Sequence, residues 1–182
     1  RFEDEYTRRG AASVSPGYCV LGEPLRGGAA EYVAVPAANL AEMPAGLDFV
    51  AAAAPLLVSL TAWRMLIHRA DLHPAETVLV VGAGGGVNSM AIQVAKLAGA
   101  TVWVVADGAE KSAKAARLGA DRVIDRSQTD WVREVLKATG RRGVDVVVDN
   151  VGRATLAGSM QAVARGGRIV IVGNTSGPKA EI

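Results

Sequence analysis

Cysteine is almost missing: Cys19 is the single one in 182 residues. One thiol excludes an intrachain disulfide, a CxxC redox motif and a thiolate zinc cluster, and it fits a reducing, cytoplasmic compartment. Histidine is as scarce. His68 and His73 stand five apart around a helix end, not at the i, i+4 spacing of a helical metal pair, so no metal site is expected. An excess of one charge is lacking too. Twenty Lys and Arg against 18 Asp and Glu leave a formal charge of +2, which argues against a nucleic-acid partner held by phosphate neutralisation. No GxSxG, HExxH or Gly-Lys-Ser/Thr ending occurs, so ATP or GTP hydrolysis is disfavoured. The longest charge-free run, Thr77 to Ala95, has 19 residues, close to the roughly 20 of a membrane span. Gly82, Gly84, Gly85 and Gly86 interrupt it and predict strand, loop and helix instead, so no membrane partner is expected. No secretory signal opens the chain, and a start at Arg1 without methionine fits a fragment or a processed product. What is present is half hydrophobic, with glycine and proline well below low-complexity levels, so a packed core is expected.

Two regions differ in composition. Residues 1–47 lack long periodicity: a charged start, a small-residue stretch, then Glu31 to Val35, which predicts a short strand ended by Pro36. This is too little for an independent core and looks like the end of another domain. From 48 to 182 the pattern is regular. Asp48 is a fair N-cap for a helix running on through Leu56 to Ile67, with Pro55 tolerated near its start or marking a kink. Strands follow at Thr77–Val81, Thr101–Val105, Arg122–Ile124, Val144–Val148 and Arg168–Val172. Helices lie between them, the one after the third strand capped by Ser127 or Thr129. Trp63 and Trp131 fall on apolar helix faces and read as core. Nearly continuous Val/Ile strands alternating with helices predict an α/β fold, a doubly wound parallel (Rossmann) sheet.

The first strand runs into Gly82-Ala83-Gly84-Gly85-Gly86-Val87 at a helix start. Glycines there let backbone N–H groups approach a phosphate, and the helix N-terminus adds positive potential. A tight turn without ligand is the competing reading, but four glycines exceed what a simple turn needs. Asp107, 19 residues after Asn88, stands where the dinucleotide fingerprint puts a ribose carboxylate, which favours NAD over NADP. Lys111 and Arg126 could flank a 2′-phosphate instead, so the choice stays open. For each of the three, a solvated surface charge is the competing reading.

Several runs occur together in order: Gly28 to Val33, Ala51 to Pro55 with Leu60-Thr61-Ala62-Trp63, the loop Gly82 to Val87, Ala91 to Lys96, Leu118 to Asp121, Asp145 to Gly152 and Gly166-Gly167-Arg168. As a set they resemble the medium-chain dehydrogenase/reductase family, which includes zinc-type alcohol dehydrogenases and quinone oxidoreductases. The resemblance covers essentially the whole chain. It implies a two-domain enzyme, with residues 1–47 the tail of a β-rich, barrel-like catalytic domain and 48–182 an NAD(P)-binding domain, lacking its last strand. It assigns Gly84, Gly85, Gly86 and Val87 to the pyrophosphate and Asp107 or Lys111 to the adenosine ribose. It also places Asn150 beside the cofactor, Gly173 and Asn174 near the nicotinamide, and Thr61 facing it. Asn88 stands where the family's third glycine commonly lies. Leu57 occupies the position of a zinc-binding cysteine, and leucine cannot ligate zinc, so the chain leans to the zinc-free, quinone-reductase-like branch.

The expectation is therefore an NAD(P)-dependent dehydrogenase or reductase acting on a small molecule by hydride transfer, inactive as this isolated chain, with a homodimer as the candidate assembly of the full protein. No acid/base residue stands out. Two alternatives use the same glycine turn: an S-adenosylmethionine-dependent methyltransferase-like domain, and a non-catalytic nucleotide-binding or oligomerisation module.

Overall fold

A computed structural model of the chain describes residues 4–177 and 179–180. Two units divide between Pro44 and Ala45. In the first, Asp4 caps α1 (Glu5–Arg8) through a capping box with Thr7, and two-residue strands β1 (Val20–Leu21) and β2 (Pro24–Leu25) pair. The strand expected at Glu31–Val35 is absent: the stretch is irregular, with no neighbouring strand to supply ladder partners, and Tyr32 is exposed.

The second unit opens with α2 (Phe49–Ala53), capped by Asp48, whose carboxylate accepts from Ala51 N. The helix then breaks at Ala54–Pro55 and resumes as α3 (Leu56–Trp63). Pro55 has no N–H for the i−4 carbonyl, so one continuous helix is not available there. The segment Arg64–Arg69 winds on as a π-helix rather than as an α-helix to Ile67. By length and composition the whole run Phe49–Arg69 is apolar enough to cross a membrane. Its inner side, Ala62, Met65 and Leu66, is buried in the core, while Phe49, Val50, Leu56, Leu57 and Leu60 are exposed. Trp63 is also half-exposed, which corrects its reading as core.

Five strands follow: β3 (Thr77–Val81), β4 (Thr101–Ala106), β5 (Arg122–Asp125), β6 (Val144–Asp149) and β7 (Val163–Val170). They alternate with α4 (Gly86–Leu97), α5 (Ala109–Arg117), α6 (Trp131–Ala138) and α7 (Leu156–Ala162). All pairings are parallel, in the order β5-β4-β3-β6-β7. The doubly wound α/β sheet is therefore as the sequence predicts. Val78, Val80, Val102, Val104, Val146 and Val148 face one core with α3, α4 and Ala115 of α5. Leu79, Val81, Val105 and Val147 face the other with Val135 of α6 and Ala162 of α7. Strands buried on both faces need apolar residues at every position, which is why period-two alternation is missing from them. Full burial of each such side chain is worth about 1.5–3 kcal/mol.

Two local expectations are corrected. Asp130, not Ser127 or Thr129, caps α6, its carboxylate accepting from Val132 N and Arg133 N. β7 spans Val163–Val170, not Arg168–Val172. Val163 already pairs with Val144, and the register then jumps to Val146↔Arg168, so the residues between them form a bulge.

Candidate functional site

In an open parallel sheet, ligands bind beyond the carboxyl ends of the strands where the strand order reverses. Here that point lies between β3 and β6, with β4–β5 to one side and β7 to the other. A cleft of about 430 Å³ opens at this place. Gly84, Gly85, Gly86, Val87, Asp107, Lys111, Asn150 and Gly173 all line it, so eight of the residues singled out in the sequence come together. Thr61 and Asn174 do not line it. Thr61 lies on α3 with its hydroxyl donating to Leu57 O at 2.9 Å, and Asn174 lines a separate hollow with Gly152 and Arg153. The cleft also takes in Ala83, Val105, Val172 and Thr175. For Val105 the position at a strand end was a usable signal. For Thr175 the sequence carries none.

The glycines of the loop divide by role. Gly82 has φ +94, and a Cβ there would lie 3.2 Å from Asn88 Nδ2, so the turn itself requires glycine. At Gly86 a Cβ would stand 3.0 Å from Val58 Cγ1, so packing of α4 on α3 requires it. Neither demand applies to Gly84 or Gly85. A Cβ on Gly85 would meet nothing within 4 Å, and one on Gly84 would only touch the stem of Lys111 at 3.6 Å. Both keep negative φ. Nothing among the described residues asks for glycine at 84 and 85, so the bare backbone there leaves room for a molecule from outside.

The amides point the same way. Gly85 is the N-cap of α4 with no side-chain cap bond. Among the described residues, no loop or side-chain acceptor takes the N–H groups of residues 84–88. Gly82 N is occupied by Val105 O at 2.8 Å. A run of unclaimed donors at a helix N-terminus is an anion site.

Asn88 replaces the close glycine contact by bonding. Buried, it donates from Nδ2 to Val81 O at 3.0 Å and Gly82 O at 2.8 Å. Its Oδ1 accepts from Asn150 Nδ2 at 2.6 Å, and Asn150 Oδ1 accepts from Val172 N at 2.9 Å. The ends of β3, β6 and β7 are thus joined through two side-chain amides. Asp149, fully buried, fixes the next loop: it accepts from Val151 N, Gly152 N, the Thr155 hydroxyl and the Ser159 hydroxyl.

At the far end of the cleft, Asp107 Oδ2 accepts from Arg126 Nη2 at 2.8 Å, with both side chains nearly half-exposed. Asp125 holds the two loops together, accepting from Gly108 N at 3.0 Å and Ser127 N at 2.9 Å. Those bonds and the Ser127 hydroxyl keep its carboxyl below the usual carboxylate range. The cleft can therefore hold and orient a phosphate-bearing molecule. No group of three or more His, Cys, Asp or Glu gathers among the described residues, and Leu57 is exposed on α3, so these residues do not fit a zinc ion.

The zinc-binding dehydrogenase family model matches residues 86–182, just over half of the chain. An NAD-dependent alcohol dehydrogenase of Saccharolobus solfataricus is 39% identical over 155 residues, 84% of this chain and 44% of that protein. The human quinone oxidoreductase is 31% identical over 150 residues, 82% of this chain and 46% of that protein. A solved NAD-dependent alcohol dehydrogenase superposes with a TM-score of 0.92 at 43% identity, covering 96% of this chain and 51% of that one. The chain thus spans about half the length of the relatives it matches. Matched by the family model over residues 86–182 and by the solved structure over 96% of its length, the chain belongs to the zinc-binding dehydrogenase family, within the medium-chain dehydrogenases/reductases.

Proposed function

We propose that this chain is the cofactor-holding part of an oxidoreductase that uses NAD or NADP to interconvert a small carbonyl, alcohol or activated alkene. One observation carries the reading: among the described residues no loop or side-chain acceptor takes the amides of Gly84 and Gly85, and the space above them is bounded only by the stem of Lys111. A diphosphate suits that space, being doubly negative and rich in acceptors, and the N-terminus of α4 stabilises its charge. Its adenosine ribose would lie toward Asp107 and Lys111. Its nicotinamide would lie toward Asn150 and Gly173, and in the whole enzyme toward Thr61 and Asn174. The relatives named for NAD-dependent alcohol dehydrogenase and quinone oxidoreductase support the same class. When bound, the nicotinamide ring supplies the hydride chemistry. The residues of this chain hold the cofactor, orient it and shape the charge around it. The bare apolar side of α2 and α3 would seat the remaining half of such an enzyme.

Titration of the chain with NADH and NADPH, followed by nucleotide fluorescence, tests the proposal. Saturable binding of at least one is expected, and Gly85→Val should weaken it at least about tenfold. Failure of both at millimolar concentration sinks the reading.

A further inference from the structure

The two faces of the sheet differ in what their helices leave outside. On one, α2 and α3 show an apolar side. On the other, α6 and α7 pack inward through Val135 and Ala162 and leave between them an open hollow of about 660 Å³. None of its lining residues lines the dinucleotide cleft. Its floor is Val132 and Leu136, both half-buried. Its rim is Arg133, Lys137 and Arg141 from the α6 side and Gln161 from α7, all exposed. Contact fixes the width of this groove: a Cβ on Gly158 would lie 2.6 Å from Trp131 Cζ2 and 3.0 Å from Val132 Cγ2.

The charge in the hollow is unanswered. Among the described residues, Arg133, Lys137 and Arg141 have no carboxylate partner, whereas Arg122 nearby meets Glu134, and Arg142 meets Asp145. Asp130 is the one acid among the lining residues, and its carboxylate already caps Val132 N and Arg133 N. The hollow thus carries two net positive charges, as many as the whole chain. Arg141 holds φ +67, its N–H donating to Leu136 O at 2.7 Å. Glycine suits that conformation best, so arginine is kept there against backbone strain and sets a guanidinium at the rim.

The spacing says which kind of anion fits. Arg133 and Lys137 lie one turn apart, about 6 Å along α6, and Arg141 lies past its end. Cations strung out in this way do not converge on one phosphate. A second helix laid in the groove presents acids at i, i+4 and i+8 at the same interval, and a leucine-like residue beside them rests on Val132 and Leu136. Exposed ion pairs add little each. The apolar floor therefore carries the affinity, while the cations choose the partner and its register.

We propose, independently of the dinucleotide reading, that the α6–α7 groove is a docking surface for an acidic amphipathic helix of a partner protein. The groove lies on the sheet face opposite α2 and α3, so it stays open when their apolar side is covered.

Two synthetic helical peptides test this, each with glutamates at i, i+4 and i+8 and a leucine stripe on one or the other flank, so that both helix directions are covered. Calorimetric titration of the whole chain should show saturable binding of at least one, weakening as salt is raised. A peptide of the same composition with its glutamates spread round the helix should bind at least about fivefold more weakly. Lys137→Glu should weaken the patterned peptide at least about tenfold. Gln161→Trp, which fills the groove without changing its charge, should also weaken it at least about tenfold. Both residues are exposed, so both variants should keep the wild-type melting temperature and nucleotide affinity. No binding of either patterned peptide, equal binding of the spread one, tripolyphosphate binding as tightly as the patterned peptide, or indifference to Gln161→Trp would each overturn the proposal. Any of the last three would reduce the groove to a diffuse positive surface.

Discussion

Asn150 and Asn88, 62 positions apart, meet through a 2.6 Å hydrogen bond in which the amide nitrogen of the first donates to the amide oxygen of the second. Because Asn88 also holds Val81 O and Gly82 O, and Asn150 takes Val172 N, the glycine turn and the end of β7 share one chain of bonds. Asn88→Leu removes the donor from two carbonyls and the acceptor from Asn150. We expect it to destabilise the domain by about 2–3 kcal/mol in urea unfolding and to weaken dinucleotide binding as well.

The glycines at 85 and 86 should respond in opposite ways to the same change. Gly86→Val would drive a side chain into Val58, whose Cγ1 is 3.0 Å from a Cβ at 86. A loss of about 1–3 kcal/mol is expected from such overpacking. Gly85→Val meets nothing within 4 Å, so its melting temperature should stay near wild type while nucleotide affinity falls at least about tenfold. Calorimetry beside a binding titration separates the two.

Asp149 should be among the costliest single positions. Asp149→Ala leaves the amides of Val151 and Gly152 and the hydroxyls of Thr155 and Ser159 without their buried acceptor. We expect about 3 kcal/mol or more of lost stability. Ser159→Ala, which removes one donor only, should cost about 1 kcal/mol. Equal effects from the two variants would show that the carboxylate does not organise this loop.

Acid should unfold the domain partly through Glu76. Its carboxylate takes two bonds from Arg168, at 2.7 and 2.8 Å, and one from His73 N. The Arg168 bonds chiefly, and His73 N next, hold its pKa down at about 2 against an ordinary 4.5. The folded value lies below the unfolded one, so this stabilisation is complete above pH 4.5 and is lost as pH falls toward 2. Glu76→Gln should lower stability at pH 7 by about 2–3 kcal/mol and flatten the dependence between those limits. A steep acid limb surviving in Glu76→Gln would contradict it.

The sheet was legible because buried parallel strands write themselves as Val/Ile runs, and the loop because four glycines in five residues have few structural uses. Other features were legible only in part. Asp130 and Thr129 are both acceptable N-caps locally, and α6 is set by which of them precedes the turn that packs Val135 inward. The start of β7 depends on Val144, 19 residues upstream, as a ladder partner, and no local pattern announces that. Trp63 looks like core on its helix, yet α3 turns that side outward. Asn88 illustrates the limit best: its position marked a departure from a glycine pattern, but its partner lies in a loop brought near only by the finished sheet.

Asp125 does not line the cleft, yet it clasps the loops that follow β4 and β5. Those loops consequently behave as a single component. Anyone transplanting nucleotide preference between relatives would have to carry residues 107 to 127 across as one graft, because exchanging either loop alone would place a new side chain on a support shaped for the old one.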